Sequence, residues 1–388
     1  MAITNKIGVP VTGEDFFGRK RELINAHRYL DSRQSLLLSA PRRIGKSSLA
    51  KKLLYDKAED GWKCVYIDLQ GIATKDEFLR KLMESFNGVG LFERAGSKAK
   101  DLIDATFNKV KGIAFGEFKI DLNSFDQTQS LLNRLSGIFD HEQNTLIVID
   151  ELTLFLGKLM DDEGKNRDEV EFLLNWFRSI RQHENSGIRW IFCGSVGLRN
   201  FTNHYSMSQT INDLIEFHLG ELPPGEAEGL IAALAESYGL SIGEELIAET
   251  IELLQWPIPY FIQLLIDRLI FKGITSVEID DIKESICELS RSDYFMTWTE
   301  RLDEYRELEG IARGVLNGLS VSEKGLNKEQ LLTVVMNGED TAEVGRVRAR
   351  LVKVLEMLEH DGYVMRNEEY RKFRSPLLRE WWKYKFID

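Results

Sequence analysis

The chain has 388 residues, a formal net charge of −12 and 43% hydrophobic residues. This length predicts two or three domains with real hydrophobic cores. The most apolar stretch, residues 251–271, is interrupted by charged side chains, and the N-terminus lacks an apolar signal core, so neither a membrane span nor a secretory signal is expected. Three widely spaced cysteines predict neither a disulfide framework nor a metal site, so a cytoplasmic location is expected.

The first informative element is a loop at residues 40–47, between an apolar strand-like run at 35–39 and a helix-like segment at 48–54. This strand, loop and helix order is typical of a phosphate-binding loop. Gly45 permits close approach of the backbone, Lys46 would reach the β- and γ-phosphates, and the Ser47 hydroxyl would bind Mg²⁺. A nucleoside triphosphate is the implied ligand. The predicted cofactor-binding residues are Ala40, Pro41, Arg42, Arg43, Ile44, Gly45, Lys46, Ser47 and Ser48.

Such a loop normally opens with glycine, whereas this one opens with Ala40. Alanine is compatible with the loop unless that position needs a positive φ. The alternative is a turn between a strand and a helix that happens to carry Lys and Arg.

Residues 72–144 form a longer interval than one crossover helix needs. A helix is predicted over 75–85, and the alternation over 113–122 predicts an exposed strand or ribbon. This insertion is either a partner surface or a peripheral flap, and the sequence does not choose between them.

A second motif follows at residues 145–151, where a continuous apolar run ends in Asp150 and Glu151. Such runs are typical of buried parallel strands. Asp150 would hold Mg²⁺ through water, and Glu151 would polarise the attacking water. The alternative is a helix N-terminus stabilised by two acids.

Two more strand-like runs, 63–69 and 188–195, alternate with a helical pattern at 170–180, which predicts βαβ units and a parallel sheet. Ser195 ends its strand where the γ-phosphate should lie and could sense it, or it could simply belong to a turn. Hydrolysis also needs a positive charge of the arginine-finger type. Arg178, Arg181 and Arg199 are the candidates, and each could equally be a surface arginine.

These motifs occur in the order found in the archaeal-type ATPases of the AAA+/STAND group of P-loop proteins, and the chain resembles that family over nearly its whole length. The resemblance rests on residues 16–23, 40–47, 149–151, 193–197 and 256–261. It implies a nucleotide-binding α/β domain, an all-helical lid, a C-terminal winged helix, and ATP or ADP with Mg²⁺. It also implies that adenine lies against Phe17, Gly18 and Arg19 and that Pro259 touches the nucleotide. Tyr260 follows that proline, where other AAA+ branches have an arginine.

Charge and composition divide the chain in the same way. Residues 221–300 hold 16 acidic and 4 basic side chains and open with a Leu-Pro-Pro-Gly break. We therefore predict a P-loop ATPase domain at 1–220 with the insertion at about 72–144, an acidic helical lid at 221–300, and a winged helix domain at 301–388. The acids mark either a surface that repels nucleic acid or a merely solvated face.

The last 88 residues show three helical patterns, at 304–319, 327–335 and 344–358, followed by a hairpin pattern, which predicts a winged helix-turn-helix. The third helix carries Arg346, Arg350 and Lys353 on one face, and the wing carries Arg371, Lys372 and Arg374. These side chains could contact DNA. The domain holds 16 basic and 16 acidic side chains, so a protein contact is the alternative.

The sequence thus predicts a Mg²⁺-dependent ATPase switch coupled to a protein or DNA partner, with homo-oligomerisation if an arginine finger acts in trans. The alternative is a nucleotide-locked scaffold, or a DNA-binding regulatory module, with little turnover.

Overall fold

The computed structural model of the chain describes residues 2–91, 125–137, 143–160, 166–184, 186–194, 197–336 and 344–387. Their contacts divide the chain into two compact units. The sheet unit comprises Lys20–Ala40 and Lys46–Leu219, and the helical unit comprises Met1–Arg19, Pro41–Gly45 and Gly220–Asp388. Within the described ranges, no helix has the length and apolar content needed to cross a membrane.

The sheet unit is built on five parallel strands in the order β2-β3-β4-β1-β5. Four of them lie where continuous apolar runs predicted strands, so the predicted α/β class with a parallel sheet is confirmed. Every residue of β3 is buried, which explains why its sequence shows no polar alternation. The strands are β1 Leu36–Ser39, β2 Lys63–Asp68, β3 Thr145–Asp150, β4 Ile188–Gly194 and β5 Ile215–His218.

Seven α-helices are described in this unit, and an aromatic cluster lies between the helices and the sheet. Phe78 stacks on Phe155 with ring centroids 4.7 Å apart, and Trp190 stacks on Phe192 at 5.7 Å. The predicted ribbon at 113–122 lies outside the described residues. The helices are α1 Lys20–Asp31, α2 Lys46–Glu59, α3 Lys75–Gly88, α4 Phe125–Ser136, α5 Leu152–Leu159, α6 Arg167–Arg181 and α7 Leu198–His204.

The first part of the helical unit after residue 220 is all helical among its described residues. Pro224 opens its first helix, where a missing N–H costs nothing, and Gly239 ends that helix at a φ of 69°. The helices are α8 Pro224–Tyr238, α9 Glu244–Leu254, α10 Pro259–Phe271, α11 Ile279–Leu289 and α12 Met296–Leu302.

The C-terminal part of this unit combines helices with a small antiparallel sheet of order β6-β8-β7. Its first helix begins at Glu309 and not near residue 304, because Arg306 takes a φ of 51° and breaks the helix there. The elements are α13 Glu309–Ser320, β6 Leu326–Asn327, α14 Lys328–Val335, α15 Val344–Asp361, β7 Val364–Asn367, β8 Tyr370–Phe373 and α16 Pro376–Phe386.

A buried ion pair fixes the end of α15. Arg301 Nε donates to Asp361 Oδ2 at 3.1 Å, and the Tyr305 hydroxyl donates to the same oxygen at 2.9 Å. Burial opposes the charge of Arg301, but the carboxylates of Asp361 and Glu304 outweigh it and raise its pKa.

Candidate functional site

The predicted phosphate-binding loop leaves the sheet at β1 and re-enters the sheet unit at α2, whose first residue is Lys46. Lys46 is 8% exposed, and its Nζ donates to the Ala40 carbonyl at 2.9 Å. The positive φ angles of the loop belong to Arg43 (66°) and Gly45 (103°). Ala40 is not among the residues with positive φ, so alanine is sterically compatible with the position usually held by glycine.

Asp150 ends β3 and meets the start of α2. Its Oδ2 accepts a hydrogen bond from the Ser47 hydroxyl at 2.7 Å, and its Oδ1 accepts one from the backbone N–H of Glu151 at 3.1 Å. Asp150 is only 5% exposed. A buried carboxylate beside a hydroxyl is a set of hard oxygen donors of the kind that Mg²⁺ prefers, so these two residues fit the predicted metal site.

A third side chain, which the sequence did not point to, completes this group. The Tyr66 hydroxyl, on β2, donates to Asp150 Oδ2 at 2.5 Å. Burial and the neighbouring Asp150 carboxylate raise the pKa of Tyr66, so the phenol stays protonated and acts as a donor. The contact arises because β2 lies next to β3, with Tyr66 opposite Val148 and Asp68 opposite Asp150.

Glu151 stands at the N-cap of α5 with a φ of 57° and a ψ of 32°, the left-handed region. Residues other than glycine, Asn and Asp rarely adopt these backbone angles. Such strained residues are concentrated at functional positions. The strained turn carries the Glu151 carboxylate one residue beyond the buried Asp150.

At the end of β4, burial raises the pKa of the Cys193 thiol well above its ordinary value, so it stays neutral.

The centre of the loop, Pro41–Gly45, belongs to the helical unit. Arg43 donates to the Gly8 carbonyl at 2.9 Å, and its guanidinium lies over the Tyr260 ring, 4.7 Å from the centroid. Arg42 donates to the Thr297 carbonyl at 3.3 Å. Burial lowers the pKa of Arg43, which nevertheless stays cationic at neutral pH. Tyr260, the residue after Pro259, therefore holds an arginine of the loop through its aromatic face.

Arg19 also contacts this loop. It has a φ of 60°, is 3% exposed, and its guanidinium donates to the carbonyls of Ile44 at 3.0 Å and Glu221 at 3.2 Å. Its backbone N–H donates to Glu226 Oε2 at 2.6 Å. Arg19, which was predicted to line the adenine site, therefore stabilises the phosphate-binding loop through its hydrogen bond to the Ile44 carbonyl.

The other residues expected near adenine also lie in the helical unit. Phe17 packs on the backbone of Gly229, where an added Cβ would come within 3.0 Å of its ring. Gly18 has a φ of 69°, and a Cβ there would meet the Glu226 carboxylate at 2.8 Å. Pro259 is the first residue of α10.

The three candidate finger arginines lie in the sheet unit, and each is engaged nearby. Arg181 forms a bidentate pair with Asp213, at 2.8 Å for both hydrogen bonds. Arg178 donates to the Gln209 carbonyl at 2.7 Å, and Arg199 pairs with Glu216. None of these contacts reaches the loop or Asp150. Ser195, the candidate sensor of the γ-phosphate, lies outside the described residues.

On α15, Arg346 and Lys353 are exposed and Arg350 is partly exposed. The β7–β8 hairpin, predicted to be a wing, differs from expectation. Arg371 is 5% exposed and pairs with Glu359, so it is not available to DNA as predicted. Lys372 stays partly exposed, whereas the Arg374 guanidinium lies over the Trp256 ring, 5.4 Å from the centroid.

Comparison with known proteins supports the fold. Residues 28–201 match the AAA domain family. The Walker-type ATPase of Pyrococcus abyssi superposes with a TM-score of 0.62 at 18% identity, over 98% of this chain and 99% of that one. The ORC2 protein of Aeropyrum pernix, solved in ADPNP and ADP complexes, gives 0.55 at 14% identity, with 96% of each chain covered. At these identities the likeness shows the fold. No curated protein matches significantly.

Proposed function

We propose that this chain, which carries an AAA domain and has the fold of an archaeal-type AAA+ ATPase, binds ATP with Mg²⁺ and hydrolyses it as a molecular switch. The observation that supports this most directly is the contact between Ser47 and Asp150. They lie 103 residues apart in the sequence, yet they share a 2.7 Å hydrogen bond. A turn without a ligand-binding role does not require that pairing.

Each residue has a distinct task in this proposal. Lys46 would exchange the Ala40 carbonyl for the β- and γ-phosphates, and Ser47 and Asp150 would hold Mg²⁺, which neutralises developing charge on the phosphates. Glu151 would orient a water molecule for in-line attack on the γ-phosphate and accept its proton.

The direct test is phosphate release from ATP by the wild type and by Glu151→Gln, with and without Mg²⁺. We expect turnover to fall by 10²-fold or more in the variant while nucleotide binding persists. Glu59→Gln, an exposed carboxamide change at the end of α2, is the matched control and should leave turnover unchanged. Equal turnover in all three proteins would refute the role of Glu151.

A second candidate function, the nucleotide-locked scaffold, is favoured by the engaged arginines. Arg181 is held by two hydrogen bonds to Asp213 and its side chain is 3% exposed, so it cannot serve as a finger without breaking that pair. A partner or a second copy would then supply the missing charge. Specific activity that rises with protein concentration supports a finger acting in trans, whereas tight nucleotide binding without turnover at any concentration supports the scaffold.

We further propose the partition into an ATPase domain at 1–220, an acidic helical lid at 221–300 and a winged helix at 301–388. The last assignment rests on α13, α14 and α15 followed by the β7–β8 hairpin. Because Arg371 is buried, it is left out of the proposed DNA-contact set. The set consists of four side chains: Arg346, Arg350, Lys353 and Lys372.

Reversal of these four cations to Glu tests the DNA contact by gel retardation of duplex DNA over a range of salt concentrations. We expect retention to be lost, because phosphate contacts dominate such affinity. The control reverses four exposed cations of the sheet unit, Lys20, Arg21, Arg80 and Lys158. Equal retention by both variants would favour a protein partner instead.

A further inference from the structure

Tyr66 is the one member of the Asp150 group with no assigned task. It lies two residues before the end of β2, on the strand next to β3, and is only partly buried. Its hydroxyl is nevertheless directed at Asp150 Oδ2 at 2.5 Å, the same oxygen that accepts from Ser47 at 2.7 Å. The phenol therefore makes a polar contact at the site that the packing of the sheet does not require.

The ring itself is held in place by α2. Lys51 Nζ lies 5.0 Å from the Tyr66 ring centroid, within the range of a cation–π contact. Lys51 follows Ser47 by four residues, so both side chains lie on the same face of the helix. One helix face thus positions the Ser47 hydroxyl and the tyrosine ring against a single carboxylate.

We propose that Tyr66 is a positioning residue for the metal site: its hydroxyl fixes the orientation of the Asp150 carboxylate beside Ser47. This inference rests on the proposed ATPase function. The Ser47 hydroxyl would ligate Mg²⁺ through an oxygen lone pair and could keep donating its hydrogen to Asp150, while the Tyr66 hydroxyl would hold the same carboxylate oxygen. A carboxylate already oriented loses less entropy when it takes up the hydrated cation. Such outer partners of metal sites change metal affinity by 10- to 100-fold.

The test is a Mg²⁺ titration of nucleotide affinity, read from the fluorescence of bound mant-ATP with the full chain. Tyr66→Phe removes one oxygen and keeps the ring on Lys51. We expect the Mg²⁺ concentration at half effect to rise by about tenfold. The mant-ATP affinity in EDTA should change less than about twofold, because Lys46, the proposed phosphate ligand, donates to the Ala40 carbonyl and not to Tyr66. Tyr55→Phe is the matched control, since Tyr55 is an exposed tyrosine on α2, the helix that also carries Ser47 and Lys51.

The outcomes separate this inference from the function on which it rests. If the mant-ATP affinity of the wild type does not depend on Mg²⁺, the proposed metal-dependent ATPase is overturned. If the wild type depends on Mg²⁺ and Tyr66→Phe gives the same titration curve, the positioning role alone is overturned. Equal loss of affinity in EDTA and in Mg²⁺ would show that Tyr66 supports the loop rather than the metal, and would overturn the role as well.

Discussion

Replacement of Arg19 by Met should loosen the phosphate loop while leaving the hydrophobic stem of the side chain in place. The guanidinium donates to two carbonyls in different surroundings. Ile44 is fully buried, so its carbonyl would lose a charge-assisted hydrogen bond with no water to replace it, at about 1–3 kcal/mol. Glu221 is exposed, so water can replace the second hydrogen bond at little cost. The expected loss is about 1–3 kcal/mol in the unfolding of the helical unit, or roughly 2–12 °C in Tm.

Arg33→Met is the matched control. Arg33 has a φ of 62°, close to the 60° of Arg19, but it is exposed and belongs to the sheet unit. Backbone strain is therefore the same in the two variants, and the control should change stability by about 0.5 kcal/mol or less. Thermal unfolding and mant-ATP affinity are measured for both. Equal effects of the two substitutions would refute an anchoring role for Arg19.

Three further predictions concern the rest of the molecule. Gly362→Ala should weaken nucleotide binding and stability together, because Gly362 has a φ of +86° and a new Cβ would lie 2.7 Å from Pro41 of the phosphate loop; mant-ATP titration and thermal unfolding measure both. Asp361→Asn should destabilise by about 3 kcal/mol in urea unfolding, since it leaves the buried Arg301 guanidinium with Glu304 in place of two carboxylates. Native alkylation followed by mass spectrometry should modify exposed Cys287 first at pH 8, because burial raises the pKa of Cys64 to about 11 and keeps it as the thiol until the pH approaches that value.

Each of these predictions has a control. Gly61→Ala places a Cβ at a φ of +80° in open space, so it isolates backbone strain from the clash. Asp303→Asn removes an exposed carboxylate and should cost little. Urea-unfolded protein should react at all three cysteines alike. If a control changes stability or mant-ATP affinity as much as its variant, the prediction for that site is wrong. If the folded protein is alkylated at all three cysteines alike, the cysteine prediction is wrong.

The strands that carry the site were predictable because they are continuous apolar runs, and β3 ends in acids where ligands bind. The β5 strand escaped prediction because it is short and the exposed Glu216 and His218 alternate with Ile215 and Phe217, of which only Phe217 is buried. Tyr66 escaped because its role depends on β2 lying beside β3, and neighbour order in a sheet is not written in local sequence. The burial of Arg371 depends likewise on Glu359, a partner from the preceding helix.

The left-handed residues of the site set folding stability against activity. Glu151 takes its strained angles without the glycine that would tolerate them, at roughly 1–2 kcal/mol. Glycine there would remove that strain but would cost about 0.4–1 kcal/mol, because it gives the unfolded chain more conformational freedom. The net gain in the free energy of unfolding is up to about 1.5 kcal/mol. A laboratory selection for heat resistance alone would therefore enrich glycine at position 151 and yield a sturdier protein without its proposed general base. Thermostability screens of this chain should accordingly be paired with a screen for turnover.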